Sequence, residues 1–113
     1  MKYVIFLILL FNIYDTKPKA LDSYESQEKK TLIVYGSASC HYCIDTKEYL
    51  TKKNISFIFY DLDIESDKIL EMYDKLRKAN ISTANFQIPV VDKKGHIITN
   101  DYDTFEVFLS KLD

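Results

Sequence analysis

Two cysteines separated by two residues, Cys40-His41-Tyr42-Cys43, come shortly after the apolar segment at residues 32–35. They are the only cysteines in the chain of 113 residues. A helix that begins near Cys40 would point its unpaired N–H groups and positive dipole end at that sulfur, which favours the thiolate. A reactive thiolate with a second thiol one helical turn away is suited to reversible dithiol–disulfide exchange.

A zinc site is the alternative interpretation of such a pair. No second cysteine pair exists, and His41 and His96 are the only histidines that could complete the ligand set. Because His41 lies inside the cysteine motif, it is poorly placed to close a tetrahedron around the metal. We therefore expect no bound metal.

Length and charge restrict the class of protein further. A chain of 113 residues predicts one domain. The formal net charge of −2 is close to balance, so nothing indicates a nucleic-acid surface. We expect a monomer whose partners are thiols or disulfides.

The amino-terminal segment is typical of a targeting sequence. Lys2 precedes an apolar run at residues 3–11, which is long enough for a signal-peptide core and too short to span a bilayer. The sequence predicts a signal peptide over residues 1–20, a flexible linker over 21–30 and a folded domain over 31–113. It thus predicts an exported protein, periplasmic or secreted, that meets a membrane only through this segment. An uncleaved anchor or an extra strand is the alternative, and without export the protein would be cytoplasmic.

Apolar periodicity in the domain alternates between strand and helix. Strands are predicted at residues 31–35, 55–60, 89–91 and 97–98, and a helix over 43–53 starts close to the first cysteine. A second helix begins at Ser66 or Asp67, and a third carries an apolar face at residues 105, 108, 109 and 112. Strand–helix–strand connections imply parallel pairing, and the turn at residues 92–95 adds an antiparallel hairpin. The predicted fold is α/β, a four-stranded mixed sheet with three helices in the order β-α-β-α-β-β-α.

Three segments together resemble the glutaredoxins within the thioredoxin superfamily: residues 34–43, residues 87–91 and residues 95–98. The resemblance covers nearly all of residues 31–113 and implies a thioredoxin-like fold of the glutaredoxin type. It implies that Cys40 is the nucleophile and Cys43 the resolving cysteine. It also implies that Pro89 is the family's cis-proline, so that Ile88 offers its backbone groups to an extended substrate.

The residues between the cysteines are candidates for tuning the redox chemistry. Tyr42 is the aromatic found there in many glutaredoxins, and His41 replaces a common proline. A protonated His41 would favour the neighbouring thiolate and hence the reduced form. An exposed histidine ring with little effect is the alternative.

The resemblance fails at two of the three features that bind glutathione. Ser37 stands where glutaredoxins usually carry a lysine for the glutathione carboxylate. Asn100-Asp101 replaces a Gly-Gly pair, and their side chains would crowd or repel an anionic ligand. Asp103 matches the acidic residue near the glutathione amino group.

The sequence therefore predicts a thiol–disulfide oxidoreductase that acts on protein disulfides and needs no bound cofactor. Glutathione remains a possible co-substrate. The alternatives are a glutathione-dependent glutaredoxin, an iron–sulfur or metal-handling relative, and a binding module that has lost the activity.

Overall fold

The computed structural model describes residues 31–113, and the predictions for residues 1–20 and 21–30 lie outside that range. The elements are β1 (Leu32–Gly36), α1 (His41–Lys52), β2 (Phe57–Asp61), α2 (Ser66–Lys78), β3 (Gln87–Lys93), β4 (His96–Asn100), a 3-10 turn (Tyr102–Thr104) and α3 (Phe105–Ser110). The strands form one sheet in the order β2-β1-β3-β4. The predicted mixed sheet, three helices and element order are confirmed.

Pairing within the sheet is mixed as predicted. β1 and β2 are parallel, with Val34 opposite Phe59, and β1 and β3 are antiparallel, with Val34 opposite Val91. β3 and β4 form the hairpin, in which Gly95 adopts a φ of 93°. A glycine tolerates this backbone conformation without the steric cost that a side chain would add.

Most element boundaries differ from the prediction by one or two residues, and three of these differences concern residues discussed below. α1 begins at His41, two residues earlier than expected, because Cys40 has extended backbone and caps the helix. β3 begins at Gln87 rather than at Pro89, and β4 continues to Asn100 rather than ending at Ile98. Polar residues that pair within the sheet explain the longer strands, since apolar runs alone mark only the centre of a strand.

β1 is buried on both faces of the sheet, because helices cover both. Leu32 and Val34 face α1 and α3, whereas Ile33 and Tyr35 face α2. This alternation follows from the two-residue period of a strand. Each face has its own cluster of buried residues. The cluster on the face of α1 and α3 consists of Leu32, Val34, Leu50, Val91, Ile98, Phe108 and Leu112. The cluster on the face of α2 consists of Ile33, Tyr35, Met72, Leu76 and Val90.

A polar network is enclosed on the α2 face. The Tyr35 hydroxyl donates to Glu71 Oε2 at 2.6 Å and accepts from Lys75 Nζ at 2.6 Å. Lys75 Nζ also donates to Asp92 Oδ2 at 2.7 Å. Burial, and then the hydrogen bond to Glu71, raise the pKa of Tyr35 far above its usual range. The network satisfies polar groups that would be costly to bury alone.

The carboxyl end of the chain packs against the end of α1. Tyr49 Oη donates to Asp113 Oδ1 at 2.7 Å, and Lys53 Nζ lies 3.8 Å from Asp113 Oδ2. Lys93, at the end of β3, donates to the Asp113 carbonyl. These contacts hold Asp113 beside the end of α1 and the end of β3.

Candidate active site

The directions of the strands bring four loops to one edge of the sheet. β1, β2 and β4 end at this edge and β3 begins there, because β3 is antiparallel to both of its neighbours. The cysteine motif follows β1 directly, at the start of α1. We call this edge, with the loops at residues 37–40, 62–65, 82–86 and 101–104, the cysteine edge.

Cys40 is the N-cap residue of α1. Its Sγ accepts a hydrogen bond from the Cys43 N–H at 3.3 Å, and its carbonyl accepts from the Ile44 N–H at 3.0 Å. The first turn of α1 contains no acidic residue. Negative charge on the Cys40 sulfur therefore meets a helix N–H and the positive end of the helix dipole, while the side chain remains partly exposed.

Cys43 lies one turn further on and is 0% exposed. Burial, and then the hydrogen bond with Cys40, raise the pKa of the Cys43 thiol from 9.0 to about 12. The Ser37 N–H, which donates to Cys43 Sγ at 3.4 Å, and the charge of Lys47 act in the opposite direction. Both cysteines are free thiols, one accessible and one enclosed.

Gly36 at the end of β1 makes room for the enclosed thiol. A Cβ placed on Gly36 would stand 2.5 Å from Cys43 Sγ, a separation that real atoms do not tolerate. A glycine is therefore required for Cys43 to pack directly against β1. This residue was not identified from the sequence, although a glycine between a strand and a CxxC motif is a readable signal of close approach.

The two residues between the cysteines point in different directions. His41 is exposed, and its Nε2 lies 3.0 Å from Asp45 Oδ2, one turn along α1. A protonated His41 would thus form an ion pair with Asp45. Tyr42 stacks on Tyr102, with ring centroids 4.5 Å apart and an interplanar angle of 9°, and meets the edge of Phe105 at 4.8 Å.

The start of β3 completes the cysteine edge. The Ile88–Pro89 peptide bond is cis, as the resemblance implies. The Ile88 carbonyl accepts a hydrogen bond from Asn100 Nδ2 at 3.1 Å. One of the two acceptor positions of this carbonyl is therefore used within the protein.

The expectation that the Asn100 side chain crowds a ligand is wrong. Asn100 is 5% exposed and directed into the domain, because it continues the inward alternation of Ile98 along β4. Asp101 and Asp103 are exposed, and the Asp101 carboxylate accepts from the Asp103 N–H at 3.0 Å. Of the predicted side chains after β4, only these two carboxylates face solvent.

Ser37 also has contacts that the sequence did not predict. It is 8% exposed, and its hydroxyl donates to Asp63 Oδ2 in the loop after β2. Asp63 was missed because nothing in its local sequence marks it as a partner of a serine 26 residues away. Only the parallel pairing of β1 and β2, which brings both loops to one edge, indicates their proximity.

Tyr102 is a further residue of this edge that was missed from the sequence. Its N–H donates to Gln87 Oε1 at 2.6 Å, and its ring covers Tyr42. Burial, and then the nearby charges of Cys40 and Cys43, raise the pKa of the Tyr102 phenol. Its position after β4, on the same edge as the cysteines, is the signal that could have identified it.

Comparison with known proteins agrees with this geometry. The family model for glutaredoxin matches residues 32–98, which include both cysteines and the cis-proline. The chain belongs to the glutaredoxin family. A solved glutaredoxin from Archaeoglobus fulgidus is similar in fold, with a TM-score of 0.51 and 19% sequence identity, covering 74% of this chain and 89% of that chain. No match was found among curated proteins.

Two further observations concern this glutaredoxin domain. Within residues 31–113, no group of three or more His, Cys, Asp or Glu side chains is placed to hold a metal ion. None of the helices in the same range is long and apolar enough to cross a membrane.

Proposed function

We propose that this glutaredoxin is a thiol–disulfide oxidoreductase that acts on protein disulfides outside the cytoplasm and needs no bound cofactor. The observation that carries the proposal is the unequal placement of the two thiols. Cys40 is partly exposed at the start of α1, whereas Cys43 is enclosed one turn away. A substrate disulfide can therefore reach the Cys40 sulfur but not the Cys43 sulfur. The Cys43 sulfur can react only with Cys40.

The chemistry consists of two exchanges. The Cys40 thiolate attacks one sulfur of a substrate disulfide, so that a Cys40 mixed disulfide forms and one substrate thiolate leaves. The Cys43 thiolate then attacks Cys40 Sγ, which forms the Cys40–Cys43 disulfide and releases the second substrate thiolate. The substrate gains two electrons and the protein loses two, and the sequence runs equally in reverse.

Protein substrates are favoured over glutathione by the residues around Cys40. Ser37 supplies no cation and its hydroxyl is engaged by Asp63. Asn100 occupies one acceptor position of the Ile88 carbonyl, with which an extended substrate would pair. The exposed Asp101 adds negative charge where an anionic tripeptide would lie. Loss of one charge-assisted hydrogen bond removes about 1.5–3 kcal/mol, a factor of about ten to a hundred or more in binding.

Export and association are the remaining parts of the proposal. The apolar run at residues 3–11 supports a signal peptide over residues 1–20. An oxidising compartment would suit a protein with a single reversible dithiol. We propose that the domain acts as a monomer. Fractionation of cells that express the full chain, with amino-terminal sequencing of the product, tests export and the cleavage point.

A trapping experiment tests the activity. Cys43→Ser should accumulate a mixed disulfide with a reducible protein such as insulin, and Cys40→Ser should not. The wild-type chain should reduce insulin in the presence of dithiothreitol and turn over poorly in a glutathione-coupled assay. Equal trapping by both variants, or none by either, contradicts the proposed activity. A visible absorption band in anaerobically purified protein would favour the iron–sulfur alternative.

A further inference from the structure

The turn between β1 and α1 is anchored to the loop after β2. The Ser37 hydroxyl donates to Asp63 Oδ2 and accepts from the Ser39 N–H at 3.2 Å, and it lies 3.0 Å from the Ser39 hydroxyl. The Ser37 carbonyl accepts from the Cys40 N–H at 3.2 Å. Asp63 is itself held by Asp61, whose Oδ1 accepts the Asp63 N–H at 3.0 Å. Hydrogen bonds to both its side-chain hydroxyl and its backbone carbonyl therefore fix the position of Ser37.

The same serine contacts the enclosed sulfur. The Ser37 N–H donates to Cys43 Sγ at 3.4 Å, in a place where burial disfavours the thiolate. Among the described residues, three titratable side chains interact electrostatically with this sulfur: Cys40, which opposes its ionisation, Lys47, which favours it, and the phenol of Tyr102. Gly36, the strand residue that lies against the sulfur, carries no charge. A correctly placed N–H is thus one of few groups that can stabilise the ionised form of Cys43.

We infer that Asp63 is a positioning residue for the second exchange: it holds Ser37 so that the serine N–H supports the Cys43 thiolate. This inference rests on the proposed function. Cys43 gives its proton to solvent, and its electron pair forms a bond to Cys40 Sγ. The bond between Cys40 and the substrate sulfur breaks, and the substrate leaves as a thiolate. Asp63 acts only through Ser37 and takes no part in the bond changes.

The test separates the two exchanges in the full chain. Bis(2-hydroxyethyl) disulfide is uncharged and small, so its rate of exchange reports on the sulfur chemistry and does not depend on binding in a groove of the protein. The first exchange is measured as its attack by Cys40 in a Cys43→Ser background. The second is measured as release of mercaptoethanol from the preformed Cys40 mixed disulfide, followed from pH 6 to pH 10.

Asp63→Ala and Ser37→Ala should slow the second exchange at neutral pH by about three- to tenfold, the effect of one lost hydrogen bond. They should also displace its pH profile to more alkaline pH, and leave the first exchange unchanged. Asp63→Asn retains an oxygen that accepts the serine hydroxyl, so it should restore most of the rate. Asp67→Ala, which removes a carboxylate from the first turn of α2, is the matched control and should behave as wild type.

Three results would overturn the inference. They are an unchanged second exchange in Asp63→Ala, an equal slowing of both exchanges, and an equal effect of Asp67→Ala. The equal slowing would indicate a general loosening of the turn, and the Asp67 result would indicate a nonspecific charge effect. A wild-type chain that forms no mixed disulfide at all would instead contradict the proposed function.

Discussion

Gly36→Ala should expel Cys43 from its place against β1. The added methyl would lie 2.5 Å from Cys43 Sγ, 3.1 Å from Cys43 Cβ and 3.2 Å from Phe59 Cε2. The Cys43 side chain is 0% exposed, and Lys47 Nζ lies 4.1 Å from the Phe59 ring centroid. Because these neighbours are already packed, relief requires a shift of α1 or of the ring. Such overpacking costs about 1–3 kcal/mol of the free energy of unfolding.

Urea unfolding of the reduced protein measures this cost directly. For a domain of this size, the same loss lowers the Tm by about 5–20 °C. A displaced Cys43 also separates from the Ser37 N–H and gains access to solvent. In a Cys40→Ser background, Gly36→Ala should therefore increase the rate of Cys43 alkylation by iodoacetamide at alkaline pH.

Gly95→Ala is the matched control for this prediction. Gly95 has a φ of 93°, and a Cβ there would meet nothing within 4 Å. Its substitution should cost about 1–2 kcal/mol through backbone conformation alone and leave Cys43 alkylation unchanged. The reasoning is refuted if the free energy of unfolding of Gly36→Ala lies within about 0.5 kcal/mol of the wild-type value and its Cys43 is alkylated no faster.

Four other predictions have defined outcomes. Alkylation at neutral pH should be faster for the Cys40 thiol of Cys43→Ser than for the Cys43 thiol of Cys40→Ser, since burial keeps Cys43 protonated. The pKa of Cys43 is raised on folding from 9.0 to about 12, so the protonated thiol contributes fully to the free energy of unfolding below pH 9, and this contribution is lost as the pH rises toward 12. In urea unfolding measured across this pH range, Cys43→Ser should show a smaller decrease in the free energy of unfolding than wild type. Lys75→Met should lower the free energy of unfolding by about 1–3 kcal/mol, because Asp92 then loses its partner at 2.7 Å. A chain shortened to residues 31–113 should unfold cooperatively by circular dichroism and retain exchange with bis(2-hydroxyethyl) disulfide; an unfolded product would place residues 1–30 in the fold.

Local signals in the sequence were sufficient for the element order and the cysteine pair. The apolar run at residues 32–35 and the motif after it indicate a buried strand and a helix start. The start of α1 was placed two residues late because Cys43, Thr46 and Leu50 mark its buried face, whereas Cys40 acts through its cap geometry. Apolar periodicity carries no information about a cap formed by a sulfur.

Contacts between distant loops were beyond such signals. The Ser37–Asp63 and Tyr42–Tyr102 contacts depend on which strands are neighbours, and neither pair has a local pattern. The inward direction of Asn100 was missed for a simpler reason. β4 was predicted to end at Ile98, so the two-residue alternation was not extended to the next inward position.

Both ends of the domain lie away from the sulfur chemistry. β1 enters the sheet at Leu32 and reaches the cysteine edge at Gly36, about 13 Å further on at the rise of a strand. Asp113 is held beside Lys53 and Lys93, where α1 and β3 end. An affinity tag, a fused enzyme or a solid support joined at either end would leave Cys40 facing outward. The domain is thus suited to immobilised or tethered use as a disulfide-exchange module.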